Sequence, residues 1–453
     1  MTFNAETLLQ KLRGLDAVAG RPSRYIIAFS GGLDSTVLLH AVAALRKTLG
    51  VRVLAIHVDH GLQEDSSAWS QHCGEVADGL NVEFKSRSVQ VQFESGKGPE
   101  ASARDARYDA LHSELGFGDW LMSAHHREDQ AETLLLNLIR GSGPMGIAGI
   151  ADIRRFGPGW LARPLLDTGR QDLLDYANRE SLRWIDDPSN VDRRFDRNFL
   201  RHDILPRLAA RWPDIAARLQ RSAGHASEAS QLLSNLARID LEALGGQAER
   251  LPVDDLLELS PARQRNLLRY SLRHLGLSTP TSMQLERIVN EVLPARRDAQ
   301  PLVSWPGAVV RRYRGRLYLL PEPLLHTPAT IDVSSNRSPE NGMPEFDVPL
   351  GPGLGALRFQ RDQPCGLSER LLQRDLQIRF RQGGERFIPY GQSHTRKLKK
   401  LLQEEGVVPW MRDRLPLVYA GEDLVAVGDH WLAADAVTEP GIALRWIARP
   451  ALH

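Results

Sequence analysis

The sequence is poor in cysteine and contains no long apolar run. Cys73 and Cys365 are its two cysteines, and they lie far apart without forming a Cys-x-x-Cys pair. We therefore expect neither a disulfide framework nor a zinc site built on thiolates, and this usage is typical of the reducing cytoplasm. No apolar stretch is long enough to cross a bilayer, and the first residues lack the basic and apolar blocks of a secretory signal. A cytoplasmic protein without a membrane partner is expected.

Lysine is scarce as well, and neither sign of charge is in large excess. The 57 lysines and arginines face 56 acidic residues, for a formal net charge of +1, so any nucleic-acid surface must be local. No lysine lies between Lys97 and Lys397, after which Lys397, Lys399 and Lys400 directly follow Arg396. In a chain that otherwise prefers arginine, this cluster predicts a phosphate-binding surface. A solvated basic face is the alternative.

The first part of the chain alternates strand and helix signals. Short apolar runs such as Tyr25 to Phe29 are separated by segments of helical period up to Arg140, which predicts a parallel sheet with helices on both faces. Ligands of such sheets bind beyond the carboxyl ends of the strands. Polar residues fall at those ends in residues 30–35, in Asp59 with His60, and in residues 125–132, and we expect the three groups to converge.

The remainder of the chain is organised differently. A length of 453 residues predicts two or three domains. Strand signals vanish from about Trp212, a short hairpin is expected over Trp305 to Leu320, and residues 321–364 are rich in proline, glycine, serine and asparagine. The predicted segments are 1–215, a mainly helical 216–325, a linker or loosely ordered connection over 326–375, and a small α+β unit over 376–453.

The glycine-rich turn Ser30-Gly31-Gly32-Leu33-Asp34-Ser35 follows an apolar strand and precedes a helix. Backbone N–H groups in such a turn form a cradle for phosphate. The turn lacks the spacing of a Walker loop and of a dinucleotide-binding loop. An ordinary strand-to-helix turn is the alternative. The pattern resembles the signature of the PP-loop ATP pyrophosphatases, which implies that the loop holds the pyrophosphate of ATP while a substrate attacks the α-phosphate.

Asp34 lies inside this turn. A carboxylate beside bound phosphates repels them unless a metal ion lies between, so Asp34 indicates Mg²⁺. An acidic residue that only favours the helix dipole is the alternative.

A second polar group spans residues 125–133. Asp129 and Glu132 share a helix face and could bind a cation or the amine of a second substrate; capping of the helix start is the alternative. For His125 and His126 no third ligand at zinc spacing is evident, so we expect them to contact nucleotide or substrate.

A third group contains Arg104 and Arg107, one helical turn apart. Both could face the phosphates as a charge clamp. Surface ion pairs with Asp105 or Asp109 are the alternative.

These motifs together resemble the tRNA(Ile)-lysidine synthase family. The similarity covers most of the chain and is weakest from about residue 232 to 376. The matching motifs are residues 30–35, 57–62, 103–108, 125–133, 140–143, 184–190, 194–202, 381–387, 397–402 and 409–414.

The resemblance implies an α/β fold: a parallel-sheet PP-loop domain of the adenine nucleotide α-hydrolase-like type, then a helical domain and a small α+β C-terminal domain. It implies that residues 1–215 bind ATP and catalyse the reaction, and that residues 216–325 and 376–453 bind tRNA. The substrate would be tRNA(Ile) with the anticodon CAU. ATP would adenylate O2 of the wobble cytidine, and free L-lysine would displace AMP at C2, forming lysidine.

The resemblance also implies roles for individual residues. Ser30 to Ser35 would bind ATP, with Asp34 tied to Mg²⁺ and to activation. Asp129 and Glu132 would bind lysine through its ammonium group, Asp129 would help to deprotonate it, and Arg104 would lie near the phosphates.

For tRNA contact we expect the cluster of Arg396, Lys397, Lys399 and Lys400, together with Arg197 and Arg201. The two arginines lie in a stretch that Asp192, Asp196 and Asp203 partly neutralise, so bracing a domain junction is the alternative for them. A homodimer is an expectation that no particular residue supports.

Three rival functions make different demands on the sequence. A tRNA-thiolating PP-loop enzyme would need cysteines to carry sulfur or a cluster, and an amidotransferase relative would need a glutaminase nucleophile. A tRNA-binding protein with an inactive loop would not need the acidic set Asp34, Asp129 and Glu132.

Overall fold

The computed structural model describes residues 2–59, 66–89, 99–187, 192–296, 299–322, 329–333, 345–351 and 353–449. The chain divides into two compact units, Met1–Leu236 and Ala237–His453. Of the motif residues above, 60–62 and 188–190 lie outside the described part. Within that part, no helix is long and apolar enough to cross a membrane.

The first unit is built on a six-stranded sheet of order β3-β2-β1-β4-β6-β5. Its strands are β1 Arg24–Ala28, β2 Arg52–Asp59, β3 Glu83–Ser88, β4 Trp120–Met122, β5 Ile153–Phe156 and β6 Gly159–Ala162. Its helices are α1 Ala5–Ala19, α2 Leu33–Leu49, α3 Ser66–Gly79, α4 Pro99–Ser113, α5 Arg127–Ile139, α6 Pro144–Ile147, α7 Arg170–Arg179, α8 Asp196–Phe199 and α9 Leu205–Arg211, with a π-helical turn Leu200–Ile204 between the last two. The long helix α10 Ile215–Ala243 follows.

All pairs in this sheet are parallel except β5 with β6. Ile26 of β1 lies opposite Leu54 of β2 and Leu121 of β4. One face of the sheet packs on α1, α2 and α3, and the other packs on α4 through Leu111 and its neighbours. A sheet covered on both faces needs apolar strands without alternation, which is the pattern of β1. The predicted α/β fold is confirmed.

The hairpin β5–β6 was not predicted from the sequence. Each strand has four residues, and the connecting turn contains Gly157 and Pro158, so the local pattern is that of a loop. Because β6 pairs in parallel with β4, it lengthens the sheet edge at which ligands are expected.

The second unit begins with an antiparallel sheet of order β7-β10-β9-β8 packed against helices. The predicted hairpin over Trp305 to Leu320 is confirmed as β9–β10, with Arg314 and Gly315 in the turn. The elements are β7 Arg250–Pro252, α11 Val253–Glu258, α12 Pro261–His274, α13 Ser282–Arg287, the π-helical turn Ile288–Val292, β8 Leu302–Trp305, β9 Ala308–Tyr313 and β10 Arg316–Leu320.

Two five-stranded sheets and a short two-stranded one complete this unit, with orders β11-β15-β18-β19-β20, β12-β13-β22-β14-β21 and β16-β17. The strands are β11 Ile331–Asp332, β12 Glu345–Pro349, β13 Ala356–Gln363, β14 Gly366–Leu367, β15 Leu376–Phe380, β16 Arg386–Phe387, β17 Arg396–Lys397, β18 Pro416–Ala420, β19 Asp423–Val427, β20 Trp431–Leu432, β21 Val437–Thr438 and β22 Gly441–Ile447. The helices are α14 Leu398–Glu404 and α15 Pro409–Arg412, with 3₁₀ turns at Glu369–Gln373 and Ala434–Ala436.

The expectation of a linker over residues 326–375 is corrected by this arrangement. Its described residues form β11 to β14, and Val348, Leu350, Leu357 and Phe359 are buried in the core of the unit. Three of the glycines that suggested a linker, Gly351, Gly353 and Gly355, lie between β12 and β13. The strand β13 pairs with β22, which lies close to the end of the sequence. Local composition cannot predict such a long-range pairing.

Candidate active site

The glycine-rich turn connects β1 to α2 at the carboxyl edge of the sheet. The Ser30 and Ser35 hydroxyls lie 3.0 Å apart, and Ser35 Oγ donates to the Gly32 carbonyl at 3.0 Å. Gly31 has φ of +80°, and a Cβ there would lie 2.9 Å from Cys73 Sγ, so the turn requires glycine at this position. Among the described side chains none caps α2 at Gly32. The helix start therefore keeps N–H groups for an anion.

Asp34 and the start of α5 meet beside this turn through His126. The His126 Nε2 atom lies 3.7 Å from Asp34 Oδ2 and 3.5 Å from Asp129 Oδ2, and Nδ1 lies 3.0 Å from Glu128 Oε2. Burial alone lowers the pKa of His126, but the surrounding carboxylates outweigh burial and raise it. The predicted convergence of residues 30–35 with 125–132 is thus present, with the His126 side chain at its centre.

The two carboxylates on either side of His126 differ in their pKa. Burial raises the pKa of Asp34 because its charged form loses water. Burial also acts to raise the pKa of Asp129, but His126 and Arg197 outweigh it and hold that pKa well below the usual range. Asp34 Oδ1 is buried and has no hydrogen-bond partner among the described residues.

The acidic pair of α5 is held by two arginines. Glu132 is 0% exposed, and its two carboxylate oxygens accept from Arg197 Nε at 2.7 Å and Arg201 Nε at 2.6 Å. The Nη2 atoms of the same arginines donate to Asp129 Oδ1 at 2.9 and 3.1 Å. Both guanidiniums pair with buried carboxylates of the first unit, which favours the alternative of a bracing role. Contact of Arg197 and Arg201 with tRNA stays a prediction.

Two further residues expected at the site are Arg104 and His125. Arg104 is exposed, and its Cζ lies 5.7 Å from the centre of the Tyr108 ring. Burial lowers the pKa of His125 to about 3, with a further contribution from Arg104, so this imidazole is neutral. Its Nδ1 lies 2.8 Å from the Ser123 hydroxyl.

Two arginines at this sheet edge were missed by the sequence reasoning. Arg163 follows β6 directly, and placing it at the site required the unpredicted hairpin. The backbone N–H of Arg170, at the start of α7, donates to Glu128 Oε2 at 2.9 Å, and its charge acts on Asp34. A basic residue directly after the apolar pair Leu161-Ala162 is the signal that could have found Arg163. Arg170 is separated from Leu166 by three residues, and no such signal marks it.

The predicted basic cluster of the second unit lies on β17 and α14. Lys397, Lys399 and Lys400 are exposed, whereas Arg396 makes a two-pronged ion pair with Glu404 at 2.8 and 2.7 Å. The ammonium groups of the three lysines are therefore more accessible to a partner than the guanidinium of Arg396.

Family models of known proteins match three successive segments of the chain. The PP-loop domain matches residues 4–208, the TilS substrate binding domain matches residues 251–318, and the TilS substrate C-terminal domain matches residues 376–446. Among solved structures, the U34-tRNA thiolase NcsA from Methanococcus maripaludis covers 49% of this chain and 80% of its own, with 16% identity and a TM-score of 0.39. That likeness is too low to support an inference.

Curated relatives match over nearly the whole length. The tRNA(Ile)-lysidine synthase of Methylococcus capsulatus is 41% identical over 434 residues, covering 94% of this chain and 96% of the relative. The tRNA(Ile)-lysidine synthase of Alkalilimnicola ehrlichii is 42% identical over 447 residues, covering 98% and 96%. The chain belongs to the tRNA(Ile)-lysidine synthase family.

Proposed function

We propose that this protein ligates free L-lysine to C2 of the wobble cytidine of tRNA(Ile) with the anticodon CAU. The cytosine O2 attacks the α-phosphate of ATP, and pyrophosphate leaves. The side-chain amine of lysine then attacks C2, and AMP leaves. The observation that carries this proposal is the meeting of the glycine-rich turn with the Asp34–His126–Asp129 cluster at one sheet edge.

The glycine-rich turn and the start of α2 hold the pyrophosphate part of ATP in this proposal. Backbone N–H groups and the positive end of the helix dipole stabilise the charge that develops on the leaving pyrophosphate. Arg104 adds a positive charge from α4.

Mg²⁺ fits Asp34. Its partnerless Oδ1 is a hard oxygen ligand, and burial makes an unpaired carboxylate oxygen costly. The described residues contain no group of three side chains that could hold a metal alone, which suits an ion that completes its shell with phosphate oxygens and water. When bound, Mg²⁺ would neutralise charge on the phosphates.

The lysine ammonium is assigned to Asp129. Glu132 pairs with Arg197 and Arg201 and has no exposed side-chain surface, whereas the Asp129 side chain is 12% exposed. Glu132 therefore acts by positioning these arginines, and Asp129 is the carboxylate that a ligand can reach. The low pKa of Asp129 makes it a good partner for a cation and a poor proton acceptor. We therefore assign it to binding lysine, and not to deprotonating it as the resemblance implied.

The tRNA is proposed to contact Lys397, Lys399 and Lys400 by their charge. An unstacked wobble base in an anticodon loop can reach an enclosed site at low cost. We place the activity in the cytoplasm, in keeping with the free thiols of Cys73 and Cys365. The homodimer stays a prediction, which sedimentation equilibrium would test.

Incubation with CAU-anticodon tRNA(Ile), ATP and radiolabelled lysine tests the function. We expect label in the tRNA, with one AMP and one pyrophosphate per lysine. Elongator tRNA(Met) serves as the control acceptor, and a sulfur donor in place of lysine tests the thiolase alternative. Absence of label from tRNA(Ile), or incorporation of sulfur, would overturn the proposal.

A further inference from the structure

Arg163 is a buried arginine at the sheet edge where the active site lies. It directly follows β6, and the N–H of Ser123 at the end of β4 donates to the Ala162 carbonyl at 3.0 Å. Arg163 therefore leaves the sheet beside the strand that leads into His125 and α5. Its side chain is only 4% exposed.

No carboxylate lies within ion-pair distance of Arg163 among the described residues. The Nη1 atom donates to the Ala151 carbonyl at 2.8 Å, and the Tyr108 side chain is a further hydrogen-bonding neighbour of the guanidinium. Nε is buried and has no hydrogen-bond partner in the described part of the chain. A buried guanidinium normally has an anionic partner, because the charge is costly to bury alone. Its Nε edge is the one that, together with Nη2, binds a carboxylate side-on.

Arg163 lies near two other arginines, so its surroundings attract an anion. Burial lowers the pKa of Arg163, and repulsion from Arg154 and Arg104 adds to that effect. Arg163 and Arg104 also add to the burial that lowers the pKa of His125. The carboxylate of Asp129 also acts on His125, with the opposite sign. The edge thus presents a negative group and a positive group to one small ligand.

We propose that Arg163 binds the α-carboxylate of free lysine through its Nε edge, while Asp129 holds the side-chain ammonium group of the same molecule. This inference rests on the proposed function, since it concerns the second substrate of that reaction. It makes Arg163 the residue by which the enzyme distinguishes an amino acid from a simple diamine. Discrimination of this kind follows when a buried charge loses its partner with the wrong ligand.

The test measures lysine incorporation into tRNA(Ile) by Arg163→Gln, which keeps a donor for the Ala151 carbonyl. We expect its KM for lysine to rise about 10- to 100-fold, the range for losing a hydrogen bond to a charged group, while KM for ATP stays within about twofold. With 1,5-diaminopentane, which lacks the carboxylate, wild type and variant should react equally poorly. Arg155→Gln removes an exposed arginine from β5 and is the control, with no change in any of these constants.

Three results would overturn the inference. One is an unchanged KM for lysine in a folded Arg163→Gln protein. Another is a rise in KM for ATP equal to that for lysine, because Arg163 would then serve the phosphates. If the variant does not fold, the KM of wild type for lysine is compared with its KM for lysine methyl ester. Equal KM values would exclude a site for the carboxylate. Wild type that incorporates no lysine at all would instead reject the proposed function.

Discussion

At the residue scale, Asp34, His126 and Asp129 form one cluster, and its two carboxylates have pKa shifts of opposite direction. Burial raises the pKa of Asp34, cationic neighbours hold down the pKa of Asp129, and the carboxylates raise the pKa of His126 between them. Two carboxylates in separate environments can take separate tasks. Here the separation assigns the metal and phosphate side to Asp34 and the ammonium side to Asp129.

Asp34→Asn tests the first of these assignments. The amide keeps the shape of the side chain but cannot neutralise a cation, so we expect pyrophosphate release to fall at least about a hundredfold, with tRNA binding unchanged. Asp78→Asn, an exposed change on α3, is the control and should release pyrophosphate at the wild-type rate. Turnover that survives in Asp34→Asn would remove Asp34 from the reaction.

His126 makes the stability of the first unit depend on pH. Its folded-state pKa is raised above the ordinary 6.5, so the stabilisation is fully present below about pH 6.5 and is lost as pH rises through the higher folded-state pKa. We expect the difference in unfolding midpoint between wild type and His126→Gln to shrink with rising pH above 6.5. Thermal unfolding across pH 5.5 to about 9 measures it. His225→Gln, exposed on α10, is the matched control for removing a histidine. A difference for His126→Gln that does not change with pH would contradict the assignment.

At the scale of elements, the turn between β1 and α2 depends on one glycine. Gly31→Ala places a Cβ against Cys73 in a left-handed conformation, so we expect a loss of about 1–2 kcal/mol of stability and weaker ATP binding. Gly14→Ala in α1 is the matched control, because its Cβ meets nothing within 4 Å, and it should stabilise by up to about 1 kcal/mol. Thermal unfolding and nucleotide titration measure both effects, and an unchanged Gly31→Ala protein would show that the turn tolerates a side chain.

The segment from Asp192 to Ile204 is tied to α5 by its arginines. Arg197→Gln leaves the fully buried Glu132 with one cationic partner in place of two, so we expect destabilisation of about 3 kcal/mol, the cost of breaking a buried pair. Arg194→Gln lies in the same segment, but the Arg194 side chain is 88% exposed and pairs with Asp192, so no measurable change is expected. Equal effects of the two changes in denaturant unfolding would reject the buried-pair account.

At the scale of the whole molecule, a net charge of +1 leaves little general attraction for RNA. Affinity then depends on local groups such as the exposed lysines of β17 and α14. Replacing Lys397, Lys399 and Lys400 together by glutamine should weaken tRNA(Ile) binding and lower the slope of log affinity against log salt by about one for each phosphate that is no longer neutralised. Lys47→Gln, exposed on α2, is the control. Unchanged affinity and slope in filter binding would remove the lysine cluster from the interface.

The parallel sheet and the position of the glycine-rich turn were determined by the sequence alone. Both are local: an apolar run, a glycine pair and a helical period occupy neighbouring positions from Tyr25 to Leu45. The joining of this turn to residues 125–132 also followed from sequence, because carboxyl ends of parallel strands share one edge.

Tertiary structure alone decided the partners of the charged residues and the pairing of distant strands. Glu132 meets Arg197 across 65 positions, and β13 pairs with β22 from about 85 positions away. Arg163 reaches the site only because β6 joins the sheet beside β4. The physical reason is the same in each case. Periodicity reports which face of an element is buried, whereas ion pairs and non-local strand pairs are chosen by which elements the whole fold brings into contact.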